Sequence, residues 1–232
     1  MSEFISQPVV WVFLTLAVYF LSQLLHIRLK WVLTSPILIT ILILILVLIL
    51  FNIEFEVYNT GGKYISFFLG PSVVALGVLF YENYEEIKNN IKPFLIAVTL
   101  GGLTSVFSVV FILSLLHSPD YLIRSLIPKS VTTPIAIEIS KSISGLPSVT
   151  AGVVITVGIF GNAFGFYILK FLGIKSKSAI GSALGTASHG IGTARALEES
   201  EISGIYSGLA LCVNGCLTAL LLPYLITWIS II

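Results

Sequence analysis

Apolar residues in this chain come in long blocks separated by short charged stretches. Uncharged runs cover 4–25, 31–53, 64–81, 93–116, 142–169, 178–194 and 202–232. A helix that crosses a bilayer needs about 20 apolar residues, and several of these runs reach that length. The sequence shows no ten-residue segments of alternating polarity, the mark of a membrane barrel, so the spans are predicted to be helical. Ordinary spans are predicted at 8–26, 32–51, 64–81 and 94–116. Only Glu3 precedes the first run, and no A-x-A site follows it. It therefore reads as a retained span and not a cleaved signal.

The second half departs from this pattern. Segment 120–145 holds Asp120, Arg124, Lys129, Glu138 and Lys141, with Pro128, Pro134 and Gly145. It is too charged and too interrupted to face lipid. Segment 178–194 reads SAIGSALGTASHGIGTA, almost all small residues. Such a stretch suits a loop buried in protein, where glycine lets backbones approach closely. It equally suits tight helix packing. Pro223 is expected to end or kink the last run.

Lysine and arginine in short loops mark the cytoplasmic side. Arg28 with Lys30, and Lys88 with Lys92, read as inside, which places the N-terminus outside. Lys170, Lys175 and Lys177 fall inside only if 120–145 dips into the membrane and returns. The prediction is a re-entrant 120–145, and a second dip over 178–200 from the other face.

The two interrupted segments resemble each other. At an offset of 60, Thr133 matches Thr193, Ala136 matches Ala196 and Glu138 matches Glu198. Each is followed by an apolar run with a Gly/Asn step, Gly161-Asn162 and Asn214-Gly215. The expected architecture is all-α and polytopic, with inverted repeat units at 120–172 and 178–232 and two broken helices, as in elevator-like transporters. Residues 1–62 would form a scaffold and 63–232 the working core.

Broken helices expose backbone N–H groups that attract anions. Thr133 is expected to cap one half-helix ahead of Pro134, and Thr193 another that begins at Ala194. The candidate site collects Lys129, Ser130, Thr132, Thr133, Ser188, His189, Gly190, Thr193, Arg195, Asn162 and Asn214. The expected ligand is a small carboxylate. His189 and Glu138 are candidates for proton coupling, since histidine titrates near neutrality. The bland alternatives are interfacial anchoring for Lys129 and Arg124, and ion pairing with a nearby lysine for Glu138.

Composition narrows the class. Of 232 residues, 56% are hydrophobic and 10% charged, with a mean hydropathy of +1.05. A soluble domain carries about 25% charged residues, so a soluble enzyme is excluded. A net charge of +1 leaves no footprint for nucleic acid. Cys212 and Cys216 lie on one helix face and read as packing thiols. No metal or cofactor is expected. A triad of Ser130, His189 and Glu138 can be drawn, but no G-x-S-x-G or H-E-x-x-H motif accompanies it, so no enzyme is predicted.

The stretches PKSVTTPIAIEIS (128–140) and GTASHGIGTARALE (185–198) resemble the LrgB/CidB family of antiholin-like bacterial membrane proteins. The family also resembles the second half of the plant plastidial glycolate/glycerate transporter. The resemblance is strongest over 64–78, 126–148, 180–199 and 207–222. It implies a bacterial plasma membrane protein of one of two kinds. One controls murein hydrolase export and cell lysis with a small LrgA/CidA-type partner. The other carries small monocarboxylates such as pyruvate, glycolate or glycerate. The paired breaks favour the carrier, and a homodimer built on the early spans would give it a fixed frame.

Overall fold

The computed structural model describes residues 7–29 and 34–229. Lys30, which helped to orient the N-terminus, lies outside them. Among the described residues the secondary structure is entirely helical. Among the described residues four helices are long and apolar enough to cross a membrane: Pro8–Leu29, Tyr84–Leu115, Pro147–Phe171 and Glu201–Ile226. The chain divides into two units, up to Leu79 and from Phe80 onward.

The first unit contains α1 (Pro8–Leu29), α2 (Pro36–Leu50), α3 (Phe55–Phe67) and most of α4 (Leu69–Glu82). Gly61 of α3 lies against the Pro8 carbonyl and Trp11 of α1, where any Cβ would clash. Trp11 and Tyr58 meet edge to face at 5.8 Å. The single span expected at 64–81 is instead divided at Phe68. Gly70-Pro71 explains the division, because proline fits the first turn of a helix but not its interior.

The second unit contains α5 (Tyr84–Leu115), α6 (Asp120–Leu126), α7 (Thr133–Ser142), α8 (Pro147–Phe160), α9 (Phe166–Phe171), α10 (Lys177–Glu199) and α11 (Glu201–Ile229). A π-helical turn, Gly161–Gly165, joins α8 to α9.

Both interrupted segments fold back on themselves. In α10 the backbone leaves the helical region at Ser188 and His189. A Cβ on Gly192 would sit 2.6 Å from the Leu184 carbonyl. In an unbroken helix those residues would stand about 12 Å apart along the axis. Ser203, just past the second arm, donates to the Lys177 carbonyl at 3.0 Å, so both ends of the segment lie together. Segment 120–146 closes likewise. Arg124 donates to the Ile143 carbonyl at 3.1 Å, and the Leu146 N–H to Ser125 Oγ at 2.7 Å. Thr150 completes a buried knot with Ser125 and Ser140.

The long helix α11 orders the two hairpins. Ser203 lies at the base of the α10 hairpin, and Asn214 touches the tips of both hairpins. Leu222 and Ile226 join the apolar cluster of the first hairpin, with Ile127, Val131, Ile139 and Ile143. From Ser203 to Asn214 the helix rises about 16 Å, and from Asn214 to Ile226 about 18 Å. The hairpins therefore reach the middle of α11 from its two ends. The reversals expected at 120–145 and 178–200 are both present.

Candidate functional site

The first tip is the turn 127–132. Its Lys129 is partly buried, and Nζ donates to Ser105 Oγ at 2.7 Å and to Ser130 Oγ at 3.1 Å. The two hydroxyls are themselves 2.8 Å apart. An ammonium carries three donors, so two are used and one remains. Among the described residues no carboxylate pairs with Lys129.

This cluster borders a cavity of about 730 Å³ formed wholly within the second unit. One wall is α5, from Asn90 to Ser108, and another is the first arm of α10, from Ser178 to Ala187. Hydroxyls of Thr104, Ser105, Ser108, Ser130, Ser182 and Thr186 border it, and Lys129 is the one charged side chain in its lining among the described residues. Lys129 is thus a lone cation among hydroxyls, and those of Thr104, Ser108, Ser182 and Thr186 already donate to carbonyls of their own helices.

The second tip is held by close packing. His189 takes φ 43° and ψ −138°, a region that non-glycine residues rarely enter. Its Nε2 lies 2.9 Å from the Val154 carbonyl. Ser188 rests on Gly161, and His189 on Gly158, where a Cβ would clash with each. Asn162, in the π turn, donates to the Ile191 carbonyl at 3.1 Å. Asn214 donates to the Ser130 carbonyl at 3.2 Å and to the Thr186 carbonyl at 3.1 Å. These two amides thus tie down carbonyls on the 127–132 turn and on both sides of the α10 break.

The predicted site residues thus divide. Lys129 and Ser130 line the cavity. Asn162 and Asn214 serve backbone carbonyls at the tips. Thr132 is the N-terminal boundary residue of α7, one position before the expected Thr133, and α7 has no side-chain cap. The break in α10 lies at 188–189, not at 193–194. Thr193 sits inside the second arm, donates to the His189 carbonyl and meets Ser207 Oγ at 2.9 Å. Gly190 is exposed beside the strained His189. Arg195 stands apart. It pairs with Glu198 and Glu199 and lies over Phe166 and Tyr167, at 5.4 and 5.7 Å. Glu138 is exposed and pairs with Lys141 at 2.7 Å. Ser130, His189 and Glu138, the drawn triad, each bond to different groups.

Sequence reasoning passed over Ser105 and Ser108. Their signal is the spacing of Gly101, Ser105 and Ser108, which puts small polar groups on one face of an otherwise apolar helix.

The fold defines an all-helical polytopic membrane protein with a cavity bordered by Lys129 beside two interrupted segments. The family model for LrgB-like proteins matches residues 15–228, and the chain belongs to that family. It is 34% identical to YwbG of Bacillus subtilis over 220 residues, covering 95% of this chain and 98% of that protein. It is 35% identical to an antiholin-like protein LrgB of Bacillus cereus over 179 residues, covering 77% and 78%. A protein of Haemophilus influenzae is 33% identical over 212 residues, covering 91% and 92%. No solved structure matches the chain.

Proposed function

We propose that this chain acts in the bacterial plasma membrane as an antiholin-like protein, which regulates murein hydrolase export and lysis with a small LrgA-type partner. Family membership and the names of the Bacillus cereus relatives support this reading. It is tested by deleting the gene and measuring autolysis. Wild-type autolysis rates in the deletion strain would sink it.

A second reading supplies the chemistry: a carrier of small monocarboxylates, in the class of pyruvate, glycolate or glycerate. The observation that carries it is Lys129, held by Ser105 and Ser130 with one donor left and no acid nearby. Inverted units at 120–172 and 178–232 would alternate access to that pocket, with a homodimeric frame built on the early spans. His189, at the tip, is the better placed proton-coupling group, since Glu138 is exposed on the other hairpin's outer face. The carrier does no covalent chemistry, and its N-terminus faces outward. In proteoliposomes it should take up labelled pyruvate saturably. Uptake no greater than in empty vesicles, with and without the partner and a proton gradient, would remove the carrier reading and leave the antiholin-like one.

A further inference from the structure

The Lys129 cluster leaves two protons for a ligand. Nζ spends two of its three N–H groups on Ser105 and Ser130. Those hydroxyls are 2.8 Å apart, so one donates to the other and the second keeps its proton. One ammonium proton and one hydroxyl proton match the two oxygens of a single carboxylate. Elsewhere in the lining the hydroxyl protons are committed. Thr104, Ser108, Ser182 and Thr186 donate within their own helices, and Tyr206 donates to the Glu86 carbonyl at 3.4 Å. The rest of a ligand held at Lys129 therefore meets carbon: Phe94, Ala97 and Gly101 of α5, Ala183 and Ala187 of α10.

Beside the cavity runs an open groove on α5. It shares Thr104 and Ser108 with the cavity, and it continues over Leu100, Leu103, Phe107, Val110 and Phe111 to Ser114. Leu100, Phe107 and Phe111 are exposed. From Ser105, which holds Lys129, to Phe111 the helix rises about 9 Å. The groove lies in the apolar stretch of a helix long enough to cross a membrane. A lone cation thus stands at the edge of an unfilled apolar track.

We propose that this site takes a carboxylate with an alkyl tail, in the class of medium-chain fatty acids. The carboxylate sits at Lys129 and the tail lies in the groove toward Phe111. The proposal rests on the anion that the carrier reading puts at Lys129, and it extends that class from short acids to acids with a tail. A short acid uses the same two protons and nothing else, whereas each methylene laid on the groove adds apolar burial. Charge fixes the orientation. The reverse placement would set a carboxylate between Phe107 and Phe111 and leave Lys129 against methylenes.

The experiment uses the full chain in nanodiscs of phosphatidylcholine, at mildly alkaline pH where the acid is ionised. The probe is decanoic acid with a diazirine at the tail end, and the labelled residues are mapped by mass spectrometry. Labelling should saturate and fall within 100–114 of α5. Decanoate should compete at least tenfold better than butyrate, and at least tenfold better than decanol, which has the tail without the charge. Lys129→Met should lose at least fivefold of the label, and Lys129→Arg should keep it. Equal competition by acid and alcohol would mean partition into bulk lipid and would overturn the proposal. So would label confined to 90–97, or label unchanged in Lys129→Met. If Lys129→Met yields no folded protein, the acid–alcohol comparison on the unaltered chain decides. Pyruvate uptake is a separate readout. Saturable uptake without a decanoate site refutes the tail and keeps the carrier; a decanoate site on a chain that moves no pyruvate does the opposite.

Discussion

The two hairpins solve one problem in opposite ways. The first is filled by bulky aliphatics: Ile127, Val131, Ile139 and Ile143 pack with Val106, Val109 and Leu222. The second is held by the absence of side chains. Gly181 and Gly185 bring their backbones onto the carbonyls of Ser203 and Ser207, and Gly192 onto that of Leu184. Side-chain packing leaves an interface that tolerates a change of shape. Backbone contact leaves none, but it frees the outer face of α10 for the hydroxyls of Ser182 and Thr186. The aliphatic cluster and the hydroxyl-bearing wall are therefore different kinds of surface, and each hairpin carries one.

The largest expected effect lies in the second hairpin. Gly185→Val drives two methyls into the Ser207 backbone, which cannot move aside, and should abolish recovery of folded protein on size-exclusion chromatography. Normal recovery would contradict the backbone-contact account. Lys129→Met comes next. It keeps the stem and removes the charge, so pyruvate uptake should fall at least tenfold, about 1.4 kcal/mol, with the protein still folded. Substitution in the first hairpin is milder. Ile139→Val should lower stability by about 1 kcal/mol, read from denaturation in detergent; a cost as large as that of Gly185→Val would erase the contrast between hairpins. Smallest is Glu138→Gln. The Glu138–Lys141 pair is solvent-facing, so stability should change by less than about 0.5 kcal/mol, and a larger loss would mean the pair anchors α7.

Both reversals are legible in the residues. Pro128, Pro134 and the charges of 120–145 cannot form one lipid-facing helix, and the glycines of 178–194 announce close backbone approach. Lys129 stands out for the same reason, as a charge where apolar residues belong. The break at His189 was less visible. Positive φ ordinarily belongs to glycine, and Gly190 follows directly, yet it is the histidine that adopts it. Only the packing of Ser188 and His189 on Gly161 and Gly158 explains the choice, and that contact links residues about 30 positions apart. Arg195 misled for a related reason. Its charge is visible in the sequence, but the rings of Phe166 and Tyr167 that share it come from another helix. The π turn has no local signal at all. It arises where Asn162 must reach the Ile191 carbonyl.

One dimension of α5 has a consequence for the surroundings of the pocket. Its 32 residues span about 48 Å, whereas the oily interior of a bilayer is about 30 Å thick. If it stands upright, about 18 Å must emerge into the headgroups and the water beyond. The polar end is the one that does so: Tyr84–Lys92 carries Glu85, Glu86, Lys88, Asn89 and Asn90. The part of the cavity wall near Asn90 therefore lies in the headgroup region and not in the oily interior, a wetter setting than that of the wall near Ser108.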